Sequence, residues 1–66
     1  MKIRINNKEV EAAQGTTLSS LLEQQAIPAA GIATAVNGTV VPAASRHSHV
    51  LTDGDNIVVI KAFYGG

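Results

Sequence analysis

The sequence predicts an α+β domain in which a sheet of four to five strands carries one main helix across one face. Three observations predict it. Two hairpin patterns, one before residue 13 and one between residues 31 and 42, each set a pair of strand-like runs around an asparagine-bearing turn. A single apolar stripe at spacings of three and four lies between them. Finally, Ile57-Val58-Val59-Ile60 is apolar at every position, the mark of a strand buried on both faces and so a central one.

At the start, Ile3 and Ile5 share one face of a period-two pattern while Lys2, Arg4 and Asn6 share the other. Asn6-Asn7 suits the positive φ angles of a tight turn, after which Lys8 to Ala12 resumes the alternation with Val10 and Ala12 inward. The charges of Lys8, Glu9 and Glu11 suit an edge strand, where they discourage pairing with another chain. Gln14-Gly15 ends the hairpin, and Thr16 or Thr17 can place a hydroxyl on the free N–H groups that open a helix. Leu18, Leu21, Leu22 and Ala26 form the inward stripe, and Ser19, Ser20, Glu23 and Gln24 face water. Pro28 disfavours helical geometry at Ile27, so the helix is expected to stop by Gln25 or Ala26 and leave Ile27 at the sheet's rim.

Ile32 to Val36 reads as a strand, and Asn37-Gly38 followed by Thr39-Val40-Val41 predicts a type I′ hairpin. The small Ala33 and Ala35 are expected to pack beneath the helix, although small residues also let a second surface approach. Pro42 to His49 is polar and reads as a loop with a helical turn. It holds Arg46, His47 and His49, but two histidines with no thiolate and only remote carboxylates at Asp53 and Asp55 lack the four-ligand set of structural zinc, so no metal site is expected. Val50-Leu51-Thr52 reads as a short strand, and Asp53-Gly54-Asp55 as the turn that delivers the chain into the last strand.

Composition narrows the function. The 66 residues allow one domain, spanning 1–66, and hydrophobic burial must hold it together because the chain has no cysteine for a disulfide or a thiolate metal site. Five basic residues balance five acidic ones, so there is no electrostatic footprint for nucleic acid. No stretch has the apolar length of a membrane span or a signal peptide, and a cytoplasmic protein is the expectation. No Ser/His/Asp spacing, paired acids or phosphate loop indicates a self-contained enzyme.

One helix covers one face of a sheet, so the other face of the central strand should be partly exposed, and exposed apolar surface marks a partner site. The strand runs on through Lys61-Ala62-Phe63-Tyr64 to Gly65-Gly66. Glycine has no Cβ, so Gly65 and Gly66 can pass a narrow channel with an unshielded carbonyl. Residues 63–66 read as a flexible tail whose four residues reach about 13 to 14 Å when extended. Phe63 and Tyr64, the only aromatics, are the candidate docking anchors.

The order strand, strand, helix, strand, strand, short strand is that of a ubiquitin-like β-grasp fold. Three segments sharpen the likeness: Ala35-Val36-Asn37-Gly38 followed by Val40-Val41-Pro42, Leu51-Thr52-Asp53-Gly54-Asp55, and Gly65-Gly66. Together they resemble the sulfur carriers of the thiamine-biosynthesis (ThiS) family over the whole chain. The resemblance implies a mixed sheet with the last strand in the middle and parallel to the first, Ile57 and Val59 in the core, and Val58 and Ile60 facing partners. Lys61 shares the parity of the core pair and points the other way, unless it lies beyond the core's edge. It implies further that an ATP-dependent, ThiF-type adenylyltransferase converts the Gly66 carboxylate into an acyl-adenylate. Sulfur from a donor such as a cysteine desulfurase relay then makes a thiocarboxylate, which a ThiG-type thiazole synthase consumes. The chain would be a co-substrate rather than an enzyme, a monomer when free, with no bound cofactor. The competing readings are a carrier of the molybdopterin-synthase small-subunit type, whose members tend to be longer, and a non-catalytic β-grasp binding module.

Overall fold

The computed structural model describes residues 1–61. Within them the chain forms β1 (Lys2–Ile5), β2 (Lys8–Glu11), α1 (Leu18–Gln24), β3 (Ile32–Val36), β4 (Thr39–Val41), a short 3-10 turn (Ala43–Ser45) and β5 (Asn56–Lys61). The five strands lie in the order β2-β1-β5-β3-β4. β1 and β5 run parallel, while the β1–β2, β3–β4 and β3–β5 pairs are antiparallel, which makes the sheet mixed with β5 at its centre.

Alternation in sequence becomes burial in space. Ile3, Ile5, Val36, Val41 and Ile57 point to one face of the sheet and meet Leu18, Leu21 and Leu22 of α1, with Leu51 closing the cluster. Both hairpin turns take the geometry that their sequences require: Asn6 and Asn7 have φ of 47° and 67°, and Asn37 and Gly38 have φ of 51° and 84°. Asparagine tolerates this left-handed region better than other side chains do, and Gly38 enters it without strain. The charged β2 lies at one edge of the sheet, where its lysine and glutamates were expected.

The helix opens on Thr17, whose Oγ1 accepts the Ser20 N–H at 3.2 Å. The preceding N–H groups of the first turn find acceptors in the 43–49 loop, Leu18 on the His49 carbonyl at 2.9 Å and Ser19 on the Arg46 carbonyl at 3.1 Å. That arrangement corrects the reading of Val50 to Thr52 as a strand. The helix begins at Leu18, so only Thr17 remains extended enough to bridge Val50, and a single bridge forms while Leu51 turns into the core.

Ala26 also departs from its expected place. It is exposed rather than on the inward stripe, with φ of 57°. Its N–H donates to the Glu23 carbonyl at 3.0 Å and the Ile27 N–H to the Leu22 carbonyl at 2.9 Å, the paired bonds that close a helix when the residue after the cap is left-handed. Ile27 then packs on the core beside the helix end. Glycine normally holds this position, because a left-handed L-residue costs roughly 1–2 kcal/mol. Ala26→Gly is therefore expected to stabilise the fold by about 0.5–1 kcal/mol after the extra freedom of glycine in the unfolded chain is offset. Urea denaturation checks this, and an unchanged or lower midpoint would contradict it.

The largest addition concerns Arg46, which the sequence placed in a polar loop and gave no role. Its residue surface is only 5% exposed. Nε donates to Thr34 Oγ1 at 3.0 Å, Nη1 to the Ala29 carbonyl at 3.0 Å and Nη2 to the Ile32 carbonyl at 2.8 Å. One guanidinium thus ties the 43–49 loop, the connection after α1 and β3 together. Thr34, itself buried, donates its hydroxyl hydrogen bond to the Val41 carbonyl at 3.0 Å.

Candidate functional site

β5 presents two different faces. Ile57 is fully buried and Val59 packs half-buried on the core, whereas Val58 is 39% and Ile60 60% exposed on the side away from α1. Lys61 shares the parity of Ile57 and Val59 yet is exposed. It lies past the end of the core and lines a shallow, mainly apolar cleft with Ile27, Pro28 and Ile32. The contrary signal of Lys61 is resolved by position along the strand, since α1 does not reach that far.

Ala33 and Ala35 do not pack beneath the helix. On β3 the inward residues are Thr34 and Val36, so the two alanines share the open face with Val58 and Ile60. The register sets Ala33 opposite Ile60 and Ala35 opposite both Val58 and Val40. Val40, 71% exposed on the edge strand β4, completes an apolar half-face of Val58, Ile60, Ala33, Ala35 and Val40. Small alanines between larger branched residues make this surface low in its middle. The other half of the same face is charged: Lys2 pairs across the ladder with Glu11, and Arg4 with Glu9. Sequence reading found Val58 and Ile60 but missed Val40, because a lone valine in a three-residue edge strand has no signal until its strand partner is known.

The root of β5 is anchored on both sides. Asn37 Nδ2 donates to Asp55 Oδ1 at 2.9 Å, Asn37 Oδ1 accepts the Asn56 N–H at 2.9 Å, and the Asn37 N–H donates to the Asn56 carbonyl at 2.8 Å. On the β1 side the Gly54 N–H donates to the Lys2 carbonyl at 2.8 Å and the Arg4 N–H to the Asp55 carbonyl at 2.9 Å. Asp53 adds a further tie, accepting the Lys2 N–H at 2.7 Å. Further along, the Asn6 side chain bonds the backbone of Val59. The two turn motifs that looked separate in sequence, Asn37-Gly38 and Asp53-Gly54-Asp55, are parts of one hydrogen-bonded anchor.

Burial alone would raise the Asp55 carboxyl, but the Thr52 N–H, the Asn37 amide, the Thr52 hydroxyl and the field of His49 outweigh it and hold the group below its ordinary value. A carboxylate with a depressed folded pKa stabilises the fold fully above its unfolded pKa near 3.9, and that stability disappears as pH falls through the lower folded value. Between pH 7 and pH 3 the wild-type urea midpoint is therefore expected to fall by more than that of Asp55→Asn. Parallel acid limbs in the two proteins would refute the assignment.

Among the described residues no group of three or more His, Cys, Asp or Glu side chains could hold a metal ion. Nor is any described helix long and apolar enough to cross a membrane. Phe63, Tyr64, Gly65 and Gly66, the four candidate tail residues, lie outside the described residues.

Comparison with known proteins supplies the rest. The ThiS family model matches residues 3–66. The chain is 36% identical over 66 residues to the sulfur carrier protein ThiS of Escherichia coli strain K12, and the match covers 100% of both chains. It superposes with a TM-score of 0.81 on the crystal structure of the thiamine biosynthesis protein ThiS from Geobacter metallireducens, at 25% identity over 100% of this chain and 99% of that one. An NMR structure of a thiamine biosynthesis protein from the same organism gives a TM-score of 0.76 at 22% identity, over 100% of this chain and 88% of that one, and shows the shared fold.

Proposed function

The chain belongs to the ThiS family and is a sulfur carrier of thiamine biosynthesis, and from that premise we propose that Gly66 carries the sulfur as a C-terminal thiocarboxylate. The observation that carries this reading is the family match itself, which extends through Gly65 and Gly66. A terminal carboxyl group has a pKa near 3.5 and is a carboxylate at neutral pH, a form that resists nucleophiles. It needs a leaving group. An ATP-dependent adenylyltransferase supplies one by forming the acyl-adenylate with loss of pyrophosphate. The outer sulfur of a persulfide from a donor such as a cysteine desulfurase relay displaces AMP to give an acyl disulfide. A thiol reductant then cleaves its S–S bond by forming a disulfide with the donor sulfur, and the released thiocarboxylate delivers its sulfur to a thiazole synthase. The carrier itself is a co-substrate, acting in the cytoplasm as a monomer, and ATP is used by the partner.

Docking is the carrier's own contribution. The apolar half-face of Val58, Ile60, Ala33, Ala35 and Val40 offers burial against a partner, and it lies on the strand that leads into the tail. Phe63 and Tyr64 extend that contact towards the reacting end. Binding energy gained on the sheet can then be used to hold the terminal carboxylate at the reacting centre.

Intact-mass spectrometry after incubation with the activating enzyme, ATP and a sulfur donor tests both parts. The expected product has one oxygen replaced by sulfur at Gly66. Ile60→Asp, which places a charge in the apolar half-face, is expected to raise the carrier concentration needed for half-maximal loading by tenfold or more, about 1.4 kcal/mol of lost binding. An unmodified Gly66 under conditions that load a known carrier would sink the chemistry. Loading of Ile60→Asp at the wild-type concentration would sink the docking face.

A further inference from the structure

We propose that Asn6 is a positioning residue for the terminal carboxylate, its side-chain amide standing in for a missing strand residue beside β5; the inference rests on the carrier chemistry proposed for Gly66. The parallel pairing of β1 with β5 covers only Arg4 with Asn56 and Ile5 with Ile57. β1 then ends, and the chain reverses at Asn6-Asn7 into β2. On its other side β5 stays paired with β3 as far as Lys61. Its downstream half would thus have a backbone neighbour on one side alone.

Asn6 fills that gap. Its backbone N–H donates to the Ile57 carbonyl at 2.9 Å. Its side chain then does what the next strand residue would do: Oδ1 accepts the Val59 N–H at 2.8 Å, and Nδ2 donates to the Val59 carbonyl at 3.2 Å. A primary amide offers the same planar donor and acceptor as a peptide unit, so the ladder advances by one residue without a strand to carry it. The backbone demands are equally narrow, because φ at Asn6 is 47°. Asparagine tolerates that region; glycine tolerates it too but has no amide, and aspartate has no donor at neutral pH.

Val59 is the last point on this side of β5 held by such a bond among the described residues. The seven residues from there to Gly66 span about 23–25 Å when extended into a partner's site. A tilt of about 5° at Val59 moves the end of such an arm by about 2 Å, and a displacement of about 1 Å at a reacting centre can cost a hundredfold in rate. Asn6 takes no place on the apolar half-face, so it bears on the aim of the arm and not on docking.

Asn6→Gly removes both amide bonds and keeps the turn geometry. In the free protein, hydrogen exchange at the Val59 amide is expected to rise about tenfold while the Ile3 and Ile5 amides keep their protection. With the activating enzyme, ATP and a sulfur donor, kcat for thiocarboxylate formation is expected to fall about tenfold with KM within threefold of wild type. Thr17→Ala, which removes the helix cap at a cost of about 1 kcal/mol far from β5, controls for lost stability and should leave kcat within twofold. Unchanged Val59 exchange, or a kcat for Asn6→Gly no lower than that of Thr17→Ala, overturns the inference. Failure to load the wild-type chain overturns the carrier reading instead, and the exchange measurement still judges the Asn6 lock separately.

Discussion

Deleting Gly66 is expected to abolish sulfur loading and leave the fold untouched. Removing one residue retracts the chain end by about 3.5 Å, several times the displacement that already costs about a hundredfold in a positioned reaction. The new terminal carboxylate, on Gly65, would sit short of the centre that adenylates it. Appending an alanine should be as damaging, because it advances the carboxylate by the same distance and adds a Cβ beside the reacting carbonyl. The core, the sheet and the Arg46 ties are built by residues 1–61, so thermal denaturation should be unchanged within error. Intact mass after a loading reaction reads the first effect and a melting curve the second. Wild-type loading of either variant would place the chemistry elsewhere.

Arg46→Met is expected to be strongly destabilising. The guanidinium is buried and its three recorded partners are two carbonyls and a hydroxyl, with no carboxylate among them. Its charge is therefore held by hydrogen bonds alone. Bonds to a charged group contribute roughly 1.5–3 kcal/mol each, and an abandoned buried acceptor costs about 1–3 kcal/mol, so a loss of about 3 kcal/mol or more is expected. Domains of this size have roughly 3–10 kcal/mol in total. A melting temperature lower by about 10 °C or more follows. Arg46→Lys should recover little, because one ammonium cannot reproduce a planar fork that meets three acceptors. A shift below about 5 °C for Arg46→Met would mean that Ala29 and Ile32 find water as a substitute.

How legible the molecule was depended on how local each signal is. The two hairpins and the helix start were visible because asparagine turns, a threonine cap and apolar spacing act within a few residues. Ile57 to Ile60 announced a central strand with one face left open by a single helix, and the family resemblance, not the residues alone, named Val58 and Ile60 as the open pair. Ala26 was misread because its spacing fits the stripe, while its left-handed φ arises from the way the chain must leave the helix to bring Ile27 onto the core. Ala33 and Ala35 were assigned to the wrong face because a strand of small and branched residues carries no alternation strong enough to choose one. Arg46 was given no role because nothing in a polar loop's sequence marks its arginine as buried.

What the sequence by itself determined is the two hairpins, the helix and the last strand, their order, and the glycine ending on which the proposed carrier chemistry rests, since period, turn chemistry and terminal identity are properties of neighbouring residues. Tertiary structure alone decided what holds the strand that bears that ending. Asn6 reaches Val59 across 53 positions, Asn37 reaches Asp55 across 18, and Arg46 reaches Thr34 across 12. A polar side chain with several possible partners takes the one that folding brings within about 3 Å, and separations of that kind leave no periodic trace in the chain.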